Sequence, residues 1–429
     1  MNVISRRHFL KLAGASTALV AAVPTMLRAQ SATPKGRVVV VGGGFGGATV
    51  AKYLRLWGGN SAAVTLVDAN PNHVSCILSN MVLDGSLNLS QITFNYAKLQ
   101  QKYGITFVQG KATGIDSANR VLKLSSGKTL PYEHLVLAPG IDFKPIDGLD
   151  FSKIPHAWQA GPQTTLLKQQ LQQLVAGTVT GDFVITVPPS PFRCPIGPYE
   201  RACLVADYLK RNGKSGSKVV VLDANASIVA EVVTFTKAFN QTFAGIIDYR
   251  PSEQVLSVDS NRRIITTNKG EFPAGVLNVI PAHQAGAIVR NAGLVDLTAA
   301  NWGAPVNPLN YESTLLPNSG IHIIGDSQGT AMSKGGHVAN GEAKVCADAI
   351  LRALDGGAPD PVPTVGAACF NPVTANTGSW LSTLFVYDPA TKTMVKAVPP
   401  GTVEAPVANK DNFEKIFEWS ANLFADTFA

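Results

Sequence analysis

The chain has 429 residues, which is more than one hydrophobic core usually serves, so its length favours two or three domains. Its 45% of hydrophobic and 15% of charged residues are typical of a folded globular protein and exclude a disordered or low-complexity chain. The net charge is +7, and positions 1–29 contain four of the basic residues and none of the acidic residues. The remaining 32 basic and 29 acidic residues leave +3, and no basic run indicates nucleic-acid binding.

Positions 1–29 have the features of an export signal. Residues 5–11 (SRRHFLK) contain a twin-arginine motif, an apolar run follows at 12–23, and residues 27–29 (LRA) form a small-residue cleavage site. The run of 12 residues is too short to cross roughly 30 Å of hydrocarbon at about 1.5 Å per residue, and an uncleaved anchor is the alternative. We therefore expect twin-arginine export to the periplasm after cofactor uptake, and no transmembrane span.

Residues 37–68 predict a dinucleotide-binding βαβ unit. The consecutive valines 38–41 predict a buried parallel strand, residues 48–57 predict a helix, and residues 64–67 predict a second strand that ends at Asp68. Because strand, glycine-rich turn, helix, strand and acid occur in this order, the alternative of a glycine-rich turn without a nucleotide is disfavoured.

Four residues of this unit have expected roles in binding the cofactor. Gly42, Gly44 and Gly47 match the pattern G-x-G-x-x-G, and Asp68 follows Gly47 by 21 residues. Gly42 permits the tight turn, and Gly44 lets the backbone approach a pyrophosphate at the helix N-terminus. Gly47 lets helix and strand pack closely, while Asp68 accepts hydrogen bonds from the adenosine ribose.

Two later segments favour FAD over NAD as the cofactor. Residues 135–140 form an apolar strand and a small-residue turn, with Ala138 and Gly140 similar to the Ala-Thr-Gly turn of flavoproteins with two dinucleotide-binding domains. Residues 320–326 (GIHIIGD) look like the flavoprotein strand whose terminal acid, here Asp326, binds the ribitol of FAD.

A helix predicted over residues 339–354 would direct its N-terminus at the flavin pyrimidine carbonyl, where reduction places negative charge. Lys334 precedes this helix and would add a positive charge at the same place. The alternative for Lys334 is an ordinary solvated loop lysine.

Residues 181–223 predict a second βαβ unit that lacks a dinucleotide site. Its strands are predicted at 181–187 and 218–223, with a helix over 199–211 between them. The turn after the first strand, residues 188–197, reads PPSPFRCPIG, and its prolines remove backbone N–H groups that a pyrophosphate needs. We therefore expect that NAD(P)H is not the electron partner.

The chain has five cysteines, an odd number that leaves at least one outside any disulfide. Cys203 and Cys346 have apolar neighbours and are predicted to be buried, inert thiols. Cys194 lies in the proline-rich turn that faces the cofactor cleft, and Cys369 begins the C-terminal segment. A disulfide between these two would join two domains over the flavin, and a purely structural bridge is an equal alternative.

The chain after the signal resembles the flavoprotein subunits of flavocytochrome c sulfide dehydrogenases, within the disulfide oxidoreductase superfamily that also contains the sulfide:quinone reductases. The segments that carry the resemblance are 73–80, 155–161, 193–202, 278–281 and 419–428. The departures are Ile196 and Ser333, where proline is expected, and the additional Cys203.

This resemblance implies a cofactor link, a catalytic pair and a partner. Cys76 matches the cysteine that is thioether-linked to the 8α carbon of FAD, and Cys194 and Cys369 match the redox-active disulfide. Sulfide would open this disulfide, the released thiolate would pass two electrons to the flavin, and a c-type cytochrome would accept them singly. Glu200 would manage protons, with the alternative that it is an acid favoured by the helix N-terminus.

The fold class that follows is α/β, with two Rossmann-like dinucleotide-binding domains and a small α+β C-terminal domain. The expected FAD-binding domain comprises residues 35–150 and 275–358, the second domain residues 151–274, and the C-terminal interface domain residues 364–429. No metal site is expected, because the histidines lack metal-ligand spacing.

Three other functions are weighed against a sulfide dehydrogenase. A sulfide:quinone reductase would need an amphipathic membrane surface, but the apolar stripe of residues 413–424 has no basic face, so a buried interface helix is favoured. An NADH-linked oxidoreductase is opposed by the missing second glycine motif. A non-enzymatic role as a flavin or sulfur carrier is the remaining alternative.

Overall fold

The computed structural model of the chain describes residues 33–429 except 215 and 300, and the predicted signal at 1–29 lies outside these residues. The helices are α1 (Phe45–Gly58), α2 (Asn80–Leu83), α3 (Ala97–Tyr103), α4 (Pro162–Ala176), α5 (Gly197–Arg211), α6 (Val232–Lys237), α7 (Ala287–Asn291), α8 (Gly336–Leu354) and α9 (Lys410–Phe428). The strands are β1 (Gly36–Val41), β2 (Ala62–Asp68), β3 (Asn72–Val74), β4 (Thr93–Asn95), β5 (Thr106–Gln109), β6 (Ala112–Asp116), β7 (Val121–Leu124), β8 (Thr129–Pro131), β9 (His134–Leu137), β10 (Ile141–Phe143), β11 (Phe183–Val187), β12 (Val219–Asp223), β13 (Ile247–Pro251), β14 (Val255–Asp259), β15 (Ile264–Thr267), β16 (Gly270–Pro273), β17 (Val276–Asn278), β18 (His283–Ala285), β19 (Ile321–Ile323), β20 (Thr364–Pro372), β21 (Gly378–Asp388), β22 (Thr393–Lys396) and β23 (Thr402–Glu404).

The first parallel sheet has the strand order β19-β9-β1-β2-β5. Its central strand β1 is buried on both faces, which explains the run of consecutive valines. Val38 and Val40 pack in one core cluster with α1 and α8, and Val39 and Val41 pack in another with β7 and α7. The βαβ unit predicted from residues 37–68 is therefore confirmed, with a helix that begins three residues earlier.

The second parallel sheet has the strand order β13-β12-β11-β17, and α5 connects β11 to β12. The two parallel sheets confirm the predicted α/β class. Strand β17 pairs with β11, although the sequence analysis places residues from 275 onwards in the FAD-binding domain. The boundary therefore lies after Asn278. A strand of three residues, two of them apolar, does not reveal which of the two parallel sheets it joins, since that depends on a distant partner.

The C-terminal segment forms an antiparallel sheet of β20, β21, β22 and β23, against which α9 packs. The apolar stripe of α9 is used inside the protein, because Ile416, Leu423 and Phe428 are buried. Phe428 stacks on Phe94 with ring centres 4.8 Å apart. The prediction of a buried helix face is confirmed for Ile416 and Leu423 but not for Phe417, which is 38% exposed. Within the described residues no helix combines the length and apolar character that a membrane crossing needs.

Two histidines from neighbouring strands of the first sheet face each other. Nδ1 of His134 and Nε2 of His322 lie 3.0 Å apart, and Nδ1 of His322 lies 2.9 Å from the carbonyl oxygen of Asn310. Burial is the main cause that lowers the pKa of both imidazoles from 6.5 to about 4. Both rings are therefore neutral in the folded protein at neutral pH.

The free energy of unfolding should consequently fall as the pH drops from 6.5 towards 4, because the unfolded chain binds protons that the folded chain excludes. Each ring contributes up to about 1.4 kcal/mol per pH unit in this window. In His134→Gln, the decrease in stability between about pH 7 and pH 5 should be smaller by ~1 kcal/mol, as measured by urea unfolding. An equal decrease in both proteins would show that the pair is not responsible.

Candidate active site

A cavity of about 770 Å³ is lined by residues at the ends of strands of the first parallel sheet, by the turn after β11 with the start of α5, and by β20 of the C-terminal sheet. It lies at the carboxyl ends of the parallel strands, where open α/β sheets bind their ligands. The predicted site residues that line it are Gly42, Gly44, Asp68, Cys76, Ala138, Gly140, Cys194, Glu200, Asp326 and Cys369. Segments more than 300 residues apart in sequence thus form one site.

The glycine-rich turn has the geometry that a pyrophosphate site needs. Gly42 has φ +98°, and a Cβ on it would lie 2.2 Å from the carbonyl oxygen of Ala138. A Cβ on Gly47 would lie 1.7 Å from the carbonyl oxygen of Gly42, so Gly47 allows α1 to pack on β1 without itself lining the cavity. The first turn of α1 has no acidic residue and no side-chain cap, which leaves its N–H groups available to an anion.

Asp68 lies at the end of β2, beside this turn. Its carboxylate accepts hydrogen bonds from the N–H groups of Gly43, at 2.6 Å, and Asn70, at 2.8 Å. These bonds fix the carboxylate at the wall of the cavity, where a ribose hydroxyl would be within its reach.

At the other end of the cavity, Asp326 faces Arg193. Their side chains, each 12% exposed, approach to 3.8 Å between Oδ2 and Nη1. Burial raises the pKa of Asp326 even though Arg193 opposes the shift, and its Oδ1 has no hydrogen-bond partner among the described residues. A buried acceptor without a donor fits a ligand hydroxyl. Sequence reasoning missed Arg193, although its position next to Cys194 in a turn facing the cleft was a usable signal.

Lys334 does not have the predicted location. Its side chain is buried, its Nζ donates to the carbonyl oxygen of Gln328 and lies 4.8 Å from the ring centre of Trp302, and it is not part of the cavity wall. The alternative of a solvated loop lysine is also wrong. Lys334 instead supports the turn that contains Cys194, since its carbonyl oxygen accepts a 2.9 Å hydrogen bond from the N–H of Cys194.

All five cysteines lie within the described residues and are free thiols. Cys203 and Cys346 are fully buried, as predicted. Cys194 and Cys369 are partly exposed, and both line the cavity. Burial is the main cause that raises the pKa of both thiols, that of Cys369 to about 12. The charge of Cys369 also contributes to the shift of Cys194. Both cysteines pack against the same hydrophobic cluster and line the same cavity, so the fold brings the two predicted partners together.

Glu200 is buried in the first turn of α5. Its Oε1 accepts a hydrogen bond from Nδ2 of Asn80 at 2.9 Å. Burial raises the pKa of Glu200 to about 7, although Asn80 and Arg201 lower it. Both protonation states are consequently accessible at neutral pH, which suits a group that exchanges protons with the nearby Cys194. The position at a helix N-terminus alone does not explain a buried carboxyl group.

Arg201 is a buried cation that sequence reasoning missed. Its Nε donates to Oδ1 of Asn80 at 2.9 Å, and Nη1 donates to Oδ1 of Asn278 at 2.8 Å. Nη2 donates to the carbonyl oxygen of Ala157 at 2.6 Å. No local pattern indicated this role, because every partner comes from a distant segment. Arg201 fixes the part of the cavity wall formed by these segments and places positive charge beside Glu200, Cys76 and Cys194.

Cys76 lies in the loop between β3 and α2. Its sulfur is 3.5 Å from the carbonyl oxygen of Trp158, and the side chain is partly exposed to the cavity. Gly42, Gly44 and Asp68 line the same cavity as Cys76, so a flavin dinucleotide bound at the turn would share the cavity with Cys76. The residues present therefore fit such a cofactor. Among the described residues no cluster of three or more His, Cys, Asp or Glu side chains is arranged for a metal ion.

Two protein-family models match the chain. Residues 164–281 match the central part of the sulfide dehydrogenase [flavocytochrome c] flavoprotein chain, and residues 36–175 match the pyridine nucleotide-disulphide oxidoreductases. The two matches overlap and together extend from β1 to beyond β17. The second match implies a flavin cofactor.

Three comparisons with individual proteins agree with these matches. The sulfide dehydrogenase [flavocytochrome c] flavoprotein chain of Chlorobaculum thiosulfatiphilum is 59% identical over 46 residues, which are 11% of this chain and 94% of that protein. The mitochondrial sulfide:quinone oxidoreductase of Mus musculus is 22% identical over 316 residues, 69% of this chain and 66% of that protein. The sulfide:quinone oxidoreductase structure from Aquifex aeolicus, 19% identical, superposes with a TM-score of 0.73 over 92% of both chains.

The chain spans only part of some relatives, including 27% of ferroptosis suppressor protein 1 from Taeniopygia guttata, which is 37% identical over 106 residues or 25% of this chain. The structural likeness supports the fold, and the family-model match over residues 164–281 includes the turn with Cys194 and Glu200. The protein is a flavin-dependent oxidoreductase, and it belongs to the flavoprotein family of the sulfide dehydrogenases and sulfide:quinone oxidoreductases.

Proposed function

We propose that the protein is the FAD-binding subunit of a sulfide dehydrogenase, which oxidises sulfide at Cys194 and Cys369 and passes the electrons to a c-type cytochrome. The observation that carries the proposal is that both cysteines and Glu200 line the cavity that begins at the glycine-rich turn. A pair of thiols beside a dinucleotide site, with a carboxyl group of pKa about 7, can alternate between dithiol and disulfide. The twin-arginine motif at residues 5–11 supports a periplasmic location.

The chemistry follows from thiol–disulfide exchange. Hydrosulfide attacks one sulfur of the oxidised pair, so that a persulfide forms on one cysteine and the other leaves as a thiolate. A second hydrosulfide or another thiolate then removes the outer sulfur, which leaves Cys194 and Cys369 reduced. Closure of the pair releases two electrons and two protons, and Glu200 accepts a proton from Cys194. FAD, when bound, accepts two electrons and can release them one at a time to a haem protein.

The electron acceptor is the first testable part of this proposal. Steady-state assays with sulfide should show reduction of cytochrome c and no reduction of NAD⁺, because the prolines at residues 188–191 remove the N–H groups of the second phosphate turn. NAD⁺ reduction at a rate comparable with that of cytochrome c would contradict this.

A sulfide:quinone oxidoreductase is the second candidate, because the mouse enzyme aligns with 69% of this chain. The burial of Ile416, Leu423 and Phe428 argues against α9 as a membrane-binding surface. The same assay with a short-chain quinone separates the two candidates. We expect cytochrome c to be reduced at least about ten times faster, a ratio of ~1.4 kcal/mol in activation free energy. A faster reaction with quinone would favour the second candidate.

Covalent attachment of FAD is the second testable part. We expect a thioether to Cys76, because Cys76 faces the cavity and lies in the segment that resembles the attachment site of the family. Acid precipitation should leave the yellow colour in the pellet of the wild-type protein and of Cys203→Ser, and release it to the supernatant from Cys76→Ser. A colourless wild-type pellet would show that the link is absent.

A further inference from the structure

A buried polar cluster, formed by Glu231, Thr234, Asn371 and Ser379, lies next to Cys369 but is not part of the cavity wall. The proposed function assigns it no role. The three other side chains surround the Glu231 carboxyl group, and Oγ1 of Thr234 lies 3.2 Å from Oγ of Ser379. We call these four residues the Glu231 cluster.

The fold brings the Glu231 cluster to Cys369 through strand register. Asn371 pairs with Ser379 across β20 and β21, and Cys369 precedes Asn371 by two residues, so their side chains share one face of β20. Glu231 immediately precedes α6 with φ +45°, and Thr234 is in the first turn of this helix. Glutamate rarely adopts this left-handed backbone conformation, so contacts with the surrounding structure must stabilise it at Glu231.

Hydrogen bonding in the cluster is incomplete. Ser379, Asn371 and Thr234 are near enough to lower the pKa of Glu231, but among the described residues neither carboxyl oxygen of Glu231 and neither polar atom of the Asn371 amide has a hydrogen bond of ordinary geometry. An amide can donate to a carboxylate and accept from a carboxylic acid, so a small rotation of Asn371 serves either form of Glu231. Burial raises the pKa of Glu231 to about 7. The cluster is therefore suited to gain and lose a proton at neutral pH.

The titratable groups that face Glu231 are Cys369 on β20, Glu200 and Cys203 on α5, and Glu404 on β23. After burial, the negative charge of Glu231 is the main influence on Cys369, ahead of Glu200. Burial and the charge of Cys369 are the main influences on Cys194, followed by Glu200. Cys369 thus has Glu231 as a second buried carboxyl group in addition to Glu200.

We propose that Glu231 accepts the proton of the Cys369 thiol when the Cys194–Cys369 bond forms, while Glu200 accepts the proton of Cys194. Two thiols and two carboxylates then give one disulfide, two carboxylic acids and two electrons, and the electrons pass to the oxidised flavin. This inference deepens the proposed function and rests on it, since that function supplies the flavin as oxidant. Glu231 is not part of the cavity wall, so it acts on the thiol of Cys369 and not on sulfide or the flavin.

The test compares Glu231→Gln with Glu404→Gln, a control that removes a neighbouring, partly exposed carboxyl group. The first readout is alkylation of Cys369 by iodoacetamide in reduced, full-length Cys194→Ser protein, followed by peptide mass spectrometry. Loss of the Glu231 charge lowers the pKa of Cys369, so alkylation at a fixed alkaline pH should become several-fold faster in Glu231→Gln. Glu404→Gln should remain within about two-fold of the parent, since its charge influences Glu231 and not Cys369 directly.

The second readout is the rate of flavin reduction after mixing with sulfide, measured over a range of pH. In the protein with both cysteines, this rate should rise with pH and show an inflection near pH 7. In Glu231→Gln the rate should be at least about ten-fold lower, and the inflection caused by Glu231 should be missing. Faster alkylation together with slower flavin reduction is an outcome that loosened packing does not produce. Unchanged alkylation and an unchanged pH profile would overturn the inference.

Failure of this inference and failure of the proposed function are distinguishable. If sulfide does not reduce the flavin of the wild-type protein, the proposed function is wrong, while the alkylation rate still tests the coupling of Glu231 with Cys369. If Glu231→Gln does not fold, Asn371→Ser supplies the second variant. Loss of the amide donor should move the inflection of flavin reduction to higher pH, and an unmoved inflection would contradict the role of the cluster.

Discussion

Replacement of Cys194 or Cys369 by serine should abolish sulfide-dependent flavin reduction. A serine hydroxyl forms no bond to sulfur under these conditions, so the loss should be on the order of a thousand-fold or more, as for removal of a covalent nucleophile. Both side chains line the cavity and are partly exposed, so the fold and flavin content should be largely retained. Stopped-flow absorbance of the flavin after anaerobic mixing with sulfide gives the rate.

Cys203→Ser and Cys346→Ser are the matched controls, because both cysteines are fully buried away from the cavity. Each should reduce its flavin at close to the wild-type rate and lose on the order of 1 kcal/mol of stability from burial of a hydroxyl group. Near wild-type reduction by folded Cys194→Ser and Cys369→Ser would exclude the pair as the site of sulfide oxidation.

Replacement of Gly47 by alanine should prevent flavin binding. The added Cβ would lie 1.7 Å from the carbonyl oxygen of Gly42, so α1 must move away from β1 and the pyrophosphate turn must open. The neighbouring Gly46→Ala is a sharp control, since its Cβ would make only ordinary contacts, the nearest at 3.4 Å from Cδ1 of Ile324. Purified Gly46→Ala should keep its flavin, and Gly47→Ala should lose more than about nine-tenths of it, as measured by absorbance relative to protein.

Full flavin content in Gly47→Ala, with an unchanged flavin spectrum, would show that close packing of α1 on β1 does not determine the binding site. Loss of flavin from both variants would indicate that any added side-chain volume at the start of this helix prevents flavin binding. It would contradict a specific role of Gly47.

Local patterns predicted those parts of the site that a single segment builds. Gly42, Gly44 and Asp68 belong to one βαβ unit, and their spacing predicts the turn, the start of the helix and the end of the strand directly. The proline-containing turn before Cys194 is likewise a local feature, and it lies where the sequence places it.

The parts that were missed depend on contacts between distant segments. Arg201 bonds to Asn80 and Asn278, and the Glu231 cluster joins α6 to β20 and β21, so neither has a spacing that marks it. Lys334 was placed wrongly for the same reason. Its ammonium group turns to Gln328 and Trp302, and only the folded chain shows that these lie nearer than the cavity.

Anaerobic titration of the purified, oxidised protein with sulfide tests the central claim most directly. The account predicts that the flavin absorbance bleaches stoichiometrically with sulfide in the absence of any other acceptor, and that added cytochrome c restores it while the haem becomes reduced. A flavin that stays oxidised through several equivalents of sulfide, in protein whose Cys194 and Cys369 are joined by a disulfide, would contradict the account.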